Sequence, residues 1–90
     1  MKLNDPTLLR TDSYINGAWV QAPQNARFAV TNPATGETVA EVADLGAEAV
    51  TAAIDAAVPA QAEWAARTAK DRAMVMRKWY ELVLANAEDL

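Results

Sequence analysis

The 90-residue sequence contains no cysteine and no histidine, and it has only three glycines. It therefore cannot supply a thiol nucleophile, an imidazole base or a Cys/His zinc site. Gly17, Gly36 and Gly46 are too far apart to form a phosphate-binding G-x-x-x-x-G-K-[ST] loop or a dinucleotide-binding G-x-G-x-x-G turn. We predict no catalytic, cofactor-binding or metal-binding residue in this chain.

The other groups able to do acid–base or nucleophilic chemistry are carboxylates, lysines, two tyrosines and Ser13. No two of the carboxylates have a spacing that requires them to converge, and they stand in tails, turns or faces predicted to be exposed. Burial would not shift a pKa toward neutrality at such positions, as a general acid or base requires. The six considered are Asp5, Asp12, Glu37, Glu41, Asp44 and Asp55.

Charge is distributed unevenly along an acidic chain. The net charge is −4, with −5 on residues 1–66 and +4 on residues 67–78. A nucleic-acid binder needs many phosphate contacts, so an acidic total with one short basic patch argues against that class. We interpret the basic patch as a solvated helix face.

Long apolar runs are also missing. No stretch approaches the ~18 residues of a membrane-spanning helix, and the first residues lack the apolar run of a secretory signal. We predict a cytoplasmic protein with no membrane partner.

The hydrophobic fraction is 52%, but much of it is alanine, and aromatic residues make up 7% with a single Phe. A chain of this length buries only roughly 60 to 65% of its unfolded surface, and no disulfide is available to stabilise it. We therefore expect a thin core and a piece that depends on something larger.

The first half of the chain predicts a small antiparallel β meander over residues 14–43, after an irregular lead-in over residues 1–13. Asn16-Gly17 lies between β-prone residues and tolerates the positive φ of a tight hairpin turn. A second strand pair is predicted on either side of the turn at residues 32–37, where Gly36 is available for a left-handed conformation.

The second half predicts two helices, over residues 47–66 and 68–90. In the first helix, capped by Asp44 or Gly46, an apolar stripe at steps of three and four is formed by Val50, Ile54, Ala57, Gln61 and Trp64. Pro59 has no amide hydrogen to donate to the carbonyl of Asp55, so we expect a kink or break near that turn.

The second predicted helix opens with a loose capping box, in which the Thr68 hydroxyl accepts from the amide of Asp71. Its apolar stripe is formed by Ala69, Ala73, Met76, Trp79 or Tyr80, Val83, Ala87 and Leu90. The last residues are acidic and no glycine cap follows them. This pattern predicts a chain cut in the middle of a helix.

The three tryptophans, Trp19, Trp64 and Trp79, are interpreted as packing residues, since two of them lie on apolar helical stripes. An alternative hypothesis is a free-standing α+β interaction module that docks on a partner through a surface containing Trp64 and Trp79.

Four motifs occur in register along nearly the whole chain. They are Tyr14-Ile-Asn-Gly-Ala-Trp19-Val, Val30-Thr-Asn-Pro-Ala-Thr-Gly-Glu37, Ala53-Ile54 with Ala57, Ala60 and Trp64, and Thr68-Ala-Lys-Asp-Arg72. In this order and spacing they resemble the amino-terminal segment of NAD(P)-dependent aldehyde dehydrogenases, and the lead-in is most similar to the bacterial succinate-semialdehyde dehydrogenase branch. Pro59 departs from the family, whose helix is usually uninterrupted at this position.

The resemblance implies an α/β parent fold in which this chain opens the coenzyme-binding domain. In such enzymes a cysteine thiolate attacks the aldehyde, hydride passes to NADP or NAD, and a glutamate-activated water hydrolyses the thioester. The residues responsible lie downstream of the matched region in the family, so none is carried over to this chain. The resemblance further implies the remainder of the polypeptide as a partner, a small aldehyde as the parent's substrate and a homo-oligomeric parent, with the 90 residues alone inactive.

Overall fold

The structure is a computed structural model that describes all 90 residues. It contains two antiparallel hairpins followed by two helices. The strands are β1 (Ser13–Ile15), β2 (Ala18–Val20), β3 (Arg27–Thr31) and β4 (Thr38–Ala43), and the helices are α1 (Ala47–Ala66) and α2 (Ala69–Ala85). Two short 3-10 turns occupy Pro6–Leu8 in the lead-in and Pro23–Asn25 between the hairpins.

Strands β1 and β2 form the hairpin predicted from Asn16-Gly17. These two residues have φ values of 50° and 79°, as a type I′ turn requires. The two-residue loop pairs Tyr14 with Trp19 across the strands. Their rings pack at a centroid separation of 5.0 Å, which adds a cross-strand aromatic contact.

Strands β3 and β4 pair from Arg27 opposite Ala43 up to a register shift between Val30 and Thr31. The turn joining them contains Gly36 at φ 75°, the left-handed conformation predicted for it. The side chain of Asn32 accepts from the amide of Ala34 at 2.9 Å and so fixes the start of the turn.

The two hairpins are separate two-stranded sheets, so the predicted antiparallel pairing is present but the continuous meander is not. The Pro23–Asn25 turn places two consecutive residues at positive φ, Gln24 at 60° and Asn25 at 53°, which redirects the chain before β3 begins. The amide of Ala43 in β4 donates to the carbonyl of Thr11 at 2.8 Å, which links the second hairpin to the residues just before β1.

Arg27 reinforces that junction. Its guanidinium forms an ion pair with Asp12 at 2.5 Å and donates to the carbonyls of Thr11 and Glu41 at 3.4 and 3.1 Å. Both charged side chains are mostly shielded from solvent. The lead-in is therefore held to the second hairpin by a multidentate arginine.

Helix α1 begins after Gly46, which caps it without a side-chain hydrogen bond, and it continues through Pro59 to Ala66. The predicted break near Pro59 does not occur. The proline leaves one carbonyl, that of Asp55, without its intrahelical donor, while the other bonds of a 20-residue helix remain to hold the segment.

Helix α2 begins as predicted, with the Thr68 hydroxyl accepting from the Asp71 amide at 3.1 Å. It ends at Ala85, so the helix predicted to extend to Leu90 was too long. After the Asn86 cap, the carboxylate of Asp89 accepts from the backbone amides of Asn4 and Asp5 at 2.7 and 2.9 Å. The final residues therefore form a turn against the lead-in.

The chain as a whole is open. Ala22 is the one buried residue, and the only element pairs in extensive contact are the two hairpins. The accessible surface is 7407 Å², whereas a compact monomer of this mass would expose about 5100 Å². The radius of gyration is 16.6 Å, against about 12 Å for a compact domain of this length. Neither helix has the length and apolarity needed to cross a lipid bilayer.

Candidate functional site

The carboxylates that have hydrogen-bond or ion-pair partners in this structure use them in separate, local contacts. Asp12 pairs with Arg27, Glu81 pairs with Arg77, and Asp89 holds the lead-in. No group of three or more acidic, histidine or cysteine side chains is arranged to hold a metal ion. The candidate features of this chain are therefore its turns, its helix faces and a shielded arginine.

Asp5 illustrates this local use of a carboxylate. The hydroxyl and the amide of Thr7 both donate to its Oδ1, at 2.6 and 3.0 Å, and these bonds hold the pKa of Asp5 below its usual value. The group is fully exposed at the start of a 3-10 turn. Its lowered pKa reflects capping of that turn.

The glycines also serve local structure. Gly17 and Gly36 form turns at positive φ, and Gly46 caps α1. No two of them meet in a loop that could surround a phosphate. The glycines therefore form no phosphate-binding loop.

The helix α1 presents two different apolar faces. An alanine face, half-buried at Ala49, Ala53 and Ala56, lies toward the first hairpin, because methyl side chains allow close approach. The face predicted to pack carries Val50 and Ile54, which are 49 and 58% exposed. At 100° per residue the two faces are roughly 110° apart.

The helix α2 presents a much wider apolar surface, which we call the α2 apolar arc. Its larger members are between 41 and 61% exposed, and they are Val75, Met76, Trp79, Tyr80, Leu82, Val83 and Leu84. At 100° per residue these positions, with Ala69 and Ala73, span roughly 200° of the helix circumference, whereas a helix packed on one side needs about 100°. An apolar surface this wide is typical of a helix that other elements cover on two sides.

The opposite side of α2 is charged. It carries Lys70, Asp71, Arg77, Lys78 and Glu81, and the Arg77 Nε lies 3.3 Å from Glu81 Oε1. The two side chains of this pair are 73 and 63% exposed, which agrees with a solvated face. A shallow open groove of about 450 Å³ runs over this side of the single helix.

Arg72 does not belong to that charged side, although the sequence grouped it with the basic patch. Its helical position falls within the α2 apolar arc, at spacings of four and seven from Met76 and Trp79. Its Nε is closed off from solvent and has no hydrogen-bond partner. The i+4 and i+7 spacing in the sequence was the signal that could have placed it there.

The tryptophans lie on three different elements. Trp19 stacks with Tyr14 and lies under the Arg10 guanidinium at 5.1 Å, while Trp64 lies under Arg67 at 5.4 Å. Trp79 on α2 is 61% exposed. Helices α1 and α2 do not pack extensively on each other, so Trp64 and Trp79 are on helices that are not joined into one layer.

Comparison with known proteins identifies the family. The model of the aldehyde dehydrogenase family matches residues 19–90. The chain belongs to the aldehyde dehydrogenase family. Over all 90 residues it is 44% identical to a 3-sulfolactaldehyde dehydrogenase of Pseudomonas putida and 44% identical to the NADP-dependent succinate-semialdehyde dehydrogenase GabD of Escherichia coli.

Solved aldehyde dehydrogenase structures contain the same arrangement. A succinate-semialdehyde dehydrogenase from Burkholderia pseudomallei superposes with a TM-score of 0.89 at 45% identity, and an aldehyde dehydrogenase from Brucella melitensis biovar abortus 2308 with 0.90 at 43%. Each alignment covers 99% of this chain and 18% of the other. The predicted family resemblance and the predicted part of an aldehyde dehydrogenase fold are both confirmed.

The matches cover this whole chain but only a small part of each relative. The chain spans 18 to 19% of the length of the curated dehydrogenases above, although they match it from end to end. In the solved structures, the superposed segment is accompanied by more than four times its own length of further protein. The open apolar faces described above belong to that same segment.

Proposed function

We propose that these 90 residues are the amino-terminal part of a longer NAD(P)-dependent aldehyde dehydrogenase, and that their role in it is structural. The observation that carries the proposal is the end-to-end match to semialdehyde dehydrogenases by a chain with no cysteine and no nucleotide-binding loop. Chemistry and coenzyme binding belong to the remainder of the polypeptide. The chain alone is inactive, and its parent uses NADP or NAD.

For the parent we propose the oxidation of succinate semialdehyde, or of a short aldehyde like it, to the carboxylic acid. The relatives are named for succinate semialdehyde, glutarate semialdehyde and 3-sulfolactaldehyde. All three compounds carry an anionic group at a short distance from the aldehyde. A cytoplasmic location and a homo-oligomeric parent are part of the same proposal.

Within the parent, the two hairpins and two helices would form the first part of the coenzyme-binding domain. The exposed faces of α1 and α2 support this role, because Ile54, Val58, Trp79 and Leu82 are each 58 to 65% exposed when the 90 residues stand alone. Soluble proteins rarely leave contiguous apolar surface of this kind uncovered.

The test starts from the gene. Its reading frame is followed past codon 90, and the full product is purified and supplied with each of the three anionic aldehydes and with butyraldehyde as an uncharged control. We expect reduction of NADP or NAD with an anionic aldehyde, and none with residues 1–90 alone. A stop codon directly after codon 90, or aldehyde oxidation by the cysteine-free 90 residues, would contradict the proposal.

A further inference from the structure

Arg72 is a charged residue at a position of α2 whose helical neighbours are apolar. Its helical position lies within the α2 apolar arc, the residue is partly buried, and its Nε is shielded from water without a partner. Burying a charged group is costly unless it is paired and hydrogen-bonded. The shielded Nε–H of this partly buried guanidinium lacks an acceptor.

No acidic residue of these 90 residues supplies that acceptor. The two ion pairs present are Arg27 with Asp12 and Arg77 with Glu81. Asp71, the neighbour of Arg72 in sequence, is 100° away around the helix and lies on the charged side. An acceptor for the Arg72 Nε in the proposed parent would therefore come from outside the chain described here.

The width of the α2 apolar arc indicates where the partner comes from. An arc of roughly 200° is wider than one packing partner covers, so α2 is a helix built to lie between two layers. The solved relatives carry about four-fifths of their length beyond the superposed segment. That additional polypeptide is the source of the cover in the proposed parent.

We propose that the rest of the parent polypeptide covers α2 on both sides of the arc and presents a carboxylate to Arg72. The proposal rests on the parent being a longer aldehyde dehydrogenase. A carboxylate is chosen over a carbonyl because the proposed cover would remove the remaining water from the guanidinium, and a charge without water is best compensated by an opposite charge. The planar guanidinium also matches a carboxylate in two parallel hydrogen bonds. Arg72 is a positioning residue that fixes α2 in its layer.

The experiment is a charge series in the full-length parent, followed by thermal unfolding at pH 7. The variants are Arg72→Lys, Arg72→Met and Arg72→Glu, and the matched controls are Arg77→Met and Arg77→Glu on the exposed side of the same helix. We expect Arg72→Met to lower the unfolding temperature by about 3 °C or more, Arg72→Lys to lose less and Arg72→Glu to lose most. The Arg77 variants should stay within about 1 °C of wild type.

A pH series separates a carboxylate partner from a carbonyl. An arginine lowers the folded-state pKa of a paired carboxylate, so its stabilisation persists at neutral pH and is lost as the pH falls below about 4. The gap between wild type and Arg72→Met should therefore narrow at acidic pH. A gap that stays constant, equal losses for Lys, Met and Glu, or an Arg72→Met variant as stable as wild type would each overturn the proposal.

Failure of the inference is distinguishable from failure of the proposed function. Unfolding temperatures require no activity, whereas aldehyde oxidation is measured on the wild-type parent alone. If Arg72→Glu does not yield soluble protein, the comparison of Arg72→Lys with Arg72→Met still decides whether the site depends on charge.

Discussion

The most direct test of the structure is to produce residues 1–90 without the rest of the parent. The chain in its native-like arrangement exposes 7407 Å², which is about 2300 Å² more than a compact monomer of its mass. Its largest exposed side chains include Trp79, Tyr80 and Leu82, all on α2. Contiguous apolar surface of this size binds hydrophobic dyes and promotes association.

We therefore expect the isolated chain to enhance the fluorescence of a hydrophobic dye, to unfold without a cooperative transition and to aggregate as its concentration rises. Small-angle scattering at low concentration should give a radius of gyration of 16.6 Å or more. The purified parent serves as the control and should bind little dye. A sharp sigmoidal unfolding curve, no dye binding and a radius near 12 Å would refute the reasoning and favour the free-standing interaction module.

Three further predictions concern the stability of the parent, measured by chemical or thermal unfolding. Gly17→Ala should cost about 1 to 2 kcal/mol, because φ is +79° while the space around the added Cβ is open. Thr68→Ala should lower the free energy of unfolding by about 1 kcal/mol by removing the cap of α2, whereas Thr68→Ser keeps a hydroxyl cap and should stay near wild type. Equal losses for Ala and Ser would contradict the capping role. Asp12→Ala should cost about 1 to 3 kcal/mol by leaving the shielded guanidinium of Arg27 unpaired, whereas Glu81→Ala, on a solvated pair, should change stability by under 0.5 kcal/mol.

Local features of this fold were predictable because they depend on a few adjacent residues. The Asn16-Gly17 turn, the left-handed Gly36 and the Thr68 cap all appear where the sequence indicated. Each is fixed by backbone conformational preference or by one short hydrogen bond. The continuity of α1 through Pro59 was missed, because one lost hydrogen bond does not outweigh the remaining helical turns.

Features that depend on distant residues were harder to predict. Periodicity identified an apolar stripe on α1 through Val50 and Ile54, but in this structure the alanine face meets the first hairpin. Both faces are apolar, and periodicity cannot tell which one meets which partner. Beyond the end of α2 at Ala85, the pairing of Asp89 with amides at the opposite end of the sequence was likewise not indicated by the sequence.

The sequence by itself determined the family, since four motifs in register specify it, and the lack of cysteine and histidine excludes a thiol nucleophile and an imidazole base. Tertiary structure alone decided that the strands form two separate hairpins and that the α2 apolar arc stands uncovered. It alone decided, too, that the Nε of Arg72 is shielded without a partner. Residue identity is enough to exclude a particular functional group, whereas burial and pairing are properties of the surroundings, which in the proposed parent lie mostly outside these 90 residues.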